Sequence, residues 1–410
     1  MAPLMSDPRH STSSPVVRLA ARGDGVTADG RFVAGAVPGD SVLADGTVMA
    51  GSGRALPPCQ HFGDCGGCQL QHVAEPGLQQ FARERILQPL QRVGIVPVEV
   101  LPVHLSPARA RRRAALRATR TQGEVRLGFN ARGEHRIVDL QQCPVLHPAL
   151  ERLLPPLRQF LGPSLREGSA IAVTLTLTDG GVDLLLGNLQ ARDLPRIDGL
   201  TEFAIGQGLA RLSVQGADGI ETLIQPGGAE MRMGDAMVTL PPGAFLQATA
   251  DGEAALVAAV ETVVRGGKRI ADLFAGCGTF TFPLARHARV TAVEGAAAAV
   301  GALAKAAARA RADVQSEHRD LFRKPLDMAE LNRFDAIVID PPRAGAQAQS
   351  AMLARSRVPV VAAVSCNPAT FARDAALLAK GGYRLLRLWP VAQFRWSTHV
   401  ELVAEFRRQP

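Results

Sequence analysis

The chain has 410 residues, 47% apolar and 20% charged, with a net charge of +8. That length and balance fit a globular protein of two or three domains, and the lack of any 18-residue apolar run argues against a membrane-spanning helix. The opening Met-Ala-Pro-Leu-Met-Ser-Asp-Pro-Arg-His lacks the apolar stretch of a signal peptide, so the sequence predicts a cytoplasmic protein with reduced thiols and no disulfide framework, and its excess of Lys and Arg favours a polyanionic partner.

Residues 1–14 are polar and rich in Pro and Ser, and are expected to be a disordered tail. Short apolar runs at 16–19, 32–37 and 41–44, separated by Gly- and Asp-rich turns, predict a small all-β unit over 15–56. Cys59-Gln-His-Phe-Gly-Asp-Cys65-Gly-Gly-Cys68 follows, holding three of the chain's 6 cysteines. Cys143, in Gln-Gln-Cys-Pro, is a fourth candidate; four thiolates complete a ligand set for zinc or for an iron–sulfur cluster. Leu78, Phe81, Ile86, Leu90 and Val93 fall on one face of a predicted helix. Strand patterns at 111–120, 125–129, 135–140, 170–177 and 182–186 make 57–240 a strand-rich central domain. Arg109, Arg111, Arg112, Arg113, Arg117 and Arg120 form its densest basic cluster, a candidate contact for phosphates.

From 241 to 410 the pattern becomes α/β. Apolar strands at 269–274, 289–293, 335–339 and 358–364 alternate with Ala-rich helices, which predicts a doubly wound, mostly parallel sheet. Ligands collect outside the carboxyl ends of such strands. Four ends carry suggestive residues: Gly276 and Gly278 in Asp272-Leu-Phe-Ala-Gly-Cys-Gly-Thr279, Glu294 one strand later, Asp340-Pro-Pro-Arg343, and Ser365-Cys-Asn-Pro368. Two close glycines let backbone approach a ligand, and an acid at the next strand end suits ribose hydroxyls.

Cys366 stands on that rim, where a thiol reads as a nucleophile. A thiolate is needed to methylate a pyrimidine at C5, because that carbon attacks a methyl sulfonium only after addition at C6 turns the ring into an enolate. A base must then remove the C5 proton, and Ser397-Thr-His-Val-Glu401 offers His399 or Glu401. Cys277 reads as a small residue of the cofactor loop.

In combination these motifs are specific. Cys-x5-Cys-Gly-Gly-Cys, Asp-x-Phe-x-Gly-x-Gly, Asp-Pro-Pro-Arg-x-Gly, Ser-Cys-Asn-Pro-x-Thr and a terminal Thr-His-Val-Glu make the chain resemble the bacterial RNA uracil-C5 methyltransferases, especially the iron–sulfur-containing members that modify 23S rRNA. The resemblance implies a Rossmann-like class I methyltransferase domain at the C-terminus. It also implies a [4Fe-4S] cluster held by Cys59, Cys65, Cys68 and Cys143, and a shortened TRAM segment, an OB-like barrel, at 15–56. By the same resemblance Cys366 is the nucleophile and Glu401 the proton acceptor. Gln247, Phe274, Gly276, Gly278, Thr279, Glu294, Asp320 and Asp340 form the S-adenosyl-L-methionine pocket. The expected partner is RNA, with 23S rRNA ahead of tRNA, bound by a monomer. A non-catalytic iron–sulfur RNA-binding protein on the same scaffold is the alternative. Two positions depart from the family pattern: Phe394-Arg-Trp-Ser397 replaces Phe-Pro-x-Thr, and Thr279 replaces an Asn.

Overall fold

A computed structural model of the chain describes residues 13–188 and 197–409. The expected tail lies almost wholly outside the described residues, and Ser14 already opens a strand. Five short strands, Ser14–Leu19, Gly25–Thr27, Phe32–Val33, Ser41–Val42 and Val48–Met49, form an antiparallel sheet with the first strand at its centre. Asp40 pins its corner. The carboxylate is buried, accepts the backbone N–H groups of Val37 (2.8 Å) and Gly51 (2.9 Å), and meets Arg54 at 2.7 Å. A Cβ at Gly51 would stand 1.7 Å from the Gly39 carbonyl oxygen, so only glycine lets the chain close there.

The central domain is built on a six-stranded sheet in the order Gly219–Ile224, Leu209–Gly216, Gly181–Gly187, Ala170–Thr178, Arg113–Thr121, Glu124–Gly128. Along Arg113–Thr121 the apolar Ala114, Leu116 and Ala118 turn inward while their neighbours do not, the period-2 pattern of a half-buried strand. The segment 135–140, expected as a strand, is not one. The Asp139 carboxylate takes the Leu127 N–H (3.0 Å), so a side chain stands in for part of the ladder, with only Val138 and Leu140 bonding by backbone to Phe129 and Leu127.

The helix Glu75–Arg92 buries Leu78, Phe81, Ala82, Ile86 and Leu90. Ala82, Ile86 and Leu90 join the core of the C-terminal domain beside Phe371, Leu378 and Leu385. Glu99–Val100 and His104–Leu105 then pair with that domain's edge strand. Residues 75–105, grouped with 57–240 from the sequence, therefore pack as part of the C-terminal layer.

That layer follows the expected α/β pattern. Its strands are β1 (Arg269–Leu273), β2 (Arg289–Glu294), β3 (Val314–His318), β4 (Ala336–Ile339), β5 (Val360–Ser365), β6 (Tyr383–Ala392) and β7 (Glu401–Arg408). Their order is β3-β2-β1-β4-β5-β7-β6. The first five are mutually parallel, and β7 runs antiparallel to both β5 and β6, with Ser365 opposite Leu402. Helices Ala250–Val264, Ala297–Ala310, Gln347–Arg355 and Pro368–Lys380 pack about the sheet. No helix among the described residues is long and apolar enough to cross a membrane.

One buried ion pair ties the central sheet to the segment entering the C-terminal layer. Arg211 grips both Asp183 oxygens (2.9 and 2.7 Å) and donates to the Leu240 carbonyl (2.6 Å), with both side chains nearly inaccessible. Removing one partner strands the other charge in the core. Arg211→Leu should cost about 3–5 kcal/mol, measured as a lower urea midpoint for loss of the central sheet, whereas the exposed Arg269→Leu should move it little.

Candidate active site

The turn after β1 is shaped by its glycines. Gly276 and Gly278 have φ of 55° and 105°, and Phe274 shares the left-handed region at 63°. A Cβ at Gly278 would lie 2.5 Å from the Phe282 ring, whereas at Gly276 it would meet nothing within 4 Å. The backbone at Gly276 is thus open on the side a ligand would use. Glu294 closes the turn from β2: its carboxylate accepts the N–H groups of Gly276 (3.0 Å) and Ala296 (2.7 Å). Expected as a ribose ligand, it also holds the glycine loop in shape. Beyond β3, Asp320 accepts the N–H groups of Phe322 (2.9 Å) and Arg323 (3.3 Å). Phe322, half exposed, sits 5.4 Å from Phe274, centroid to centroid. The sequence reading missed Phe322; its signal is an exposed aromatic two residues after Asp320. Thr279 is half-buried in the same loop, and Asp272 beneath it accepts the Thr281 hydroxyl at 2.6 Å.

The reacting end lies at the ends of β4, β5 and β7. Asp340 follows β4, Cys366 follows β5, and Glu401 opens β7. Because β7 is antiparallel, its first residue reaches the rim where β4 and β5 end. Burial pushes the Asp340 carboxyl well above its usual value, with Glu401 and Asp272 adding to the effect. Burial likewise raises Glu401 to about 7, opposed by a hydrogen bond from Gln393 and by the charge of Arg343. Cys366 rises to about 11 through burial, then Glu401 and Asp340, with Arg343 pulling it back. Three ionisable groups thus sense one another across a dry site. His399 is held low by burial and by Arg343, Arg111 and Arg85, and Arg343 lies 3.0 Å from its ring nitrogen. That setting favours Glu401 over His399 as a proton acceptor.

Gln247 is buried, and its Oε1 accepts from Gln393 Nε2 at 2.7 Å. Gln393 escaped the sequence reading because nothing in the motif marks it. The Asn367 amide holds the Asp340-Pro-Pro-Arg343 turn through the Arg343 carbonyl (2.9 Å) and its carbonyl oxygen caps the helix Pro368–Lys380, so the residue after Cys366 fixes the loop beside it.

The other four cysteines also converge. Cys59, Cys65, Cys68 and Cys143 line one recess with Phe62, Phe129 and Arg111. Burial is the leading cause that raises Cys65 and Cys143 and pushes Cys68 to about 12. Among the described residues no three His, Cys, Asp or Glu side chains are set closely enough to hold a single metal ion.

The basic cluster, expected to face RNA as a unit, is divided. Arg112 is buried against the Gln247 carbonyl (3.1 Å) and Glu253 (2.6 Å), Arg120 donates to the Leu165 (2.9 Å) and Gly162 (2.7 Å) carbonyls, and Arg109 pairs with Glu151 (2.7 Å). Only Arg113, Arg117 and Arg120 lie on the strand and the rest on the segment leading into it, and Arg109, Arg112 and Arg120 are taken up by their own chain. Arg111 is buried over Phe394 (5.2 Å) and Phe129 (5.6 Å), while Arg117 is exposed.

A family model described as tRNA (Uracil-5-)-methyltransferase matches residues 235–408. An uncharacterized RNA methyltransferase of Zymomonas mobilis is 43% identical over 393 residues, covering 96% of this chain and 99% of the relative. The 23S rRNA (uracil(1939)-C(5))-methyltransferase of Halomonas elongata is 36% identical over 372 residues, covering 85% of this chain and 76% of the relative. The chain belongs to the RNA uracil-5-methyltransferase family. The crystal structure of Pyrococcus abyssi tRNA (uracil-54, C5)-methyltransferase in complex with S-adenosyl-L-homocysteine shares its fold, with a TM-score of 0.75 and 23% identity over 97% of this chain and all of that one.

For this methyltransferase the raised Glu401 carboxyl carries a stability signature. Its folded value lies above its unfolded one of 4.5, so the folded state holds a proton that the unfolded chain releases. Stability is therefore lost as pH rises through that window. The penalty is complete above about pH 7 and corresponds to roughly 3 kcal/mol. Glu401→Gln should raise the thermal midpoint at pH 8 and have only a small effect at pH 5. Equal gains at both pH values would show that the carboxyl is not desolvated.

Proposed function

We propose that this enzyme methylates C5 of a uridine in RNA with S-adenosylmethionine as donor, through Cys366 and Glu401. What carries the reading is the meeting of a thiol and two dry carboxyls, Cys366, Asp340 and Glu401, at the strand ends beside an open glycine turn. Cys366 adds as the thiolate, its Sγ bonding C6 of the ring and placing the electron pair on C5 and O4. C5 then takes the methyl group, and its positive partner leaves as a neutral thioether. Glu401 accepts the C5 proton, the electrons re-form the C5–C6 double bond, and the sulfur departs as thiolate. Asp340, its carboxyl pushed well above the usual value by burial, suits a hydrogen bond to the uracil edge. Phe322, exposed beside Phe274, suits one face of an adenine, Gly276 its backbone approach, and Glu294, with Asp320, the polar end of the nucleoside.

Several observations support an RNA substrate. Arg85, Arg113 and Arg343 have no carboxylate partner among the described residues; burial lowers Arg85 and Arg113 unopposed, and Arg113 lies over the exposed Phe245 at 5.9 Å. Unpaired guanidiniums around a catalytic mouth fit phosphates, and the target base has to leave its stack to reach Cys366. The five-stranded N-terminal sheet fits a small OB-like RNA-binding module. The four-cysteine recess and the Halomonas relative favour 23S rRNA over tRNA.

The recess suits a polynuclear iron–sulfur group. A tetrahedral zinc with bonds of about 2.3 Å would draw its sulfurs to roughly 3.8 Å from one another, a closeness the side chains lack. Thiolates that each bind a different iron stand farther apart around a shared space, and the four cysteines line one such recess. Cys59, Cys65, Cys68 and Cys143 would hold a [4Fe-4S] cluster, whose contribution is to cross-link segments distant in sequence.

Two tests follow. Cys366→Ala should abolish methyl transfer to RNA while leaving the circular dichroism spectrum unchanged, and full activity in that variant would sink the mechanism. Protein purified without oxygen should show broad visible absorbance that Cys143→Ser removes; a colourless protein carrying stoichiometric zinc would replace the cluster with that metal.

A further inference from the structure

Gln393 has no role in the chemistry above, yet it is 2% exposed and both ends of its amide are engaged. Its Oε1 accepts the Ala248 N–H at 3.0 Å. A backbone N–H only donates, so this contact decides which end of the amide is oxygen and leaves Nε2 as the donor. Nε2 donates to Gln247 Oε1 at 2.7 Å, and Gln393 lies two residues beyond Val391, the register partner of Glu401 across the β6–β7 pairing. With its oxygen taken, Gln247 keeps its own amide nitrogen as a donor.

The surroundings are built for this side chain. The Arg112 guanidinium holds the Gln247 carbonyl at 3.1 Å, fixing the loop from behind. Thr249 caps the helix Ala250–Val264 through the Gly252 N–H at 3.1 Å. A Cβ at position 252 would stand 2.7 Å from Gln393 Cβ and 3.2 Å from its Oε1, so the glycine makes the room that Gln393 occupies.

We propose that Gln393 is a positioning residue that locks the proton acceptor Glu401 to the cofactor-side Gln247, so that the base is aligned through the loop 247–249. The inference rests on Cys366 as nucleophile and Glu401 as base. The charged and titratable groups acting on Glu401 are Asp340 after β4, Cys366 after β5 and Arg343 in the turn between them, with His399 engaging Arg343. Gln393 adds a neutral donor to that set. Its loss leaves the ionised carboxylate less stabilised, which moves Glu401 titration upward and slows proton removal without touching the addition step.

The experiment follows the covalent protein–RNA adduct, trapped by denaturation, in the wild type and in Gln393→Met, Gln393→Glu and Glu401→Gln, over a range of pH. Gln393→Met should form the adduct at the wild-type rate. Its decay should be about 10- to 100-fold slower, the factor of one hydrogen bond to a charged group, with the pH midpoint of decay displaced upward. Gln393→Glu keeps the shape but puts a second carboxyl beside Glu401, and should displace the midpoint further. Wild-type decay in Gln393→Met, or equal slowing of formation and decay at an unchanged midpoint, would reduce Gln393 to a packing residue. Glu401→Gln should accumulate adduct at every pH; normal decay there would overturn the base assignment itself, and with it the role of Gln393.

Discussion

Glu401, buried, and Asp340 and Cys366, half-buried, meet at one rim of the sheet, with Arg343 the cation that acts on both Cys366 and Glu401. Each group alone would prefer solvent. The fold holds them because β4, β5 and β7 are central, fully hydrogen-bonded strands whose cores, Ile337, Val361 and Leu402 among them, are completely buried. The reversed direction of β7 is part of the same constraint. A parallel seventh strand would carry its first residue to the opposite end of the sheet, away from Cys366. Topology thus brings Cys366 and Glu401 together, and desolvation tunes the carboxyl: one near 7 is half ionised close to neutrality, able to take a proton and later give it up.

The segment between β6 and β7 leads directly into Glu401, and the N-terminal half of the chain grips it throughout. The N–H groups of Gln69 and Leu70 donate to the Trp396 carbonyl at 2.8 and 2.9 Å, immediately after Cys68. Arg111 lies between the cysteine recess and the Phe394 ring, and Phe394 in turn lies 5.7 Å from His399. The cysteines are therefore joined to the catalytic strand by a few short contacts. A group that cross-linked Cys59, Cys65, Cys68 and Cys143 would brace the loop that leads into Glu401.

The α/β layer was legible because its strands are buried on both faces and read as apolar runs between Ala-rich helices, and the rim because each strand ends in a residue costly to bury. Helix 75–92 was legible as a helix but not as a piece of the C-terminal core, since periodicity reports a buried face and not its partner. The arginine cluster misled for a related reason. The run spans a loop and a strand, so its six arginines become Arg112 in the core, Arg120 on carbonyl groups and Arg117 in solvent. Gln393 was invisible because a buried amide is recognisable only from the groups it joins, and Ala248 and Gln247 lie 145 and 146 residues from it in sequence.

The departure at Phe394-Arg-Trp-Ser397 has a physical account of the same kind. A proline after the phenylalanine would stiffen this loop through its own ring. Here Arg395 does so through its side chain, reaching the Ser106 carbonyl at 3.1 Å and Glu75 at 2.7 Å. Trp396 sits at a φ of 63°, a conformation costing about 1 kcal/mol or more for a residue with a Cβ. Two backbone hydrogen bonds to its carbonyl, packing of its ring against the cores of both N-terminal units, and Arg395 over the indole at 5.2 Å offset that strain. Rigidity that a proline would write into one residue is distributed over Glu75, Ser106, Gln69 and Leu70. Glu401 is therefore placed through contacts that residues of the N-terminal half make with the loop leading into it.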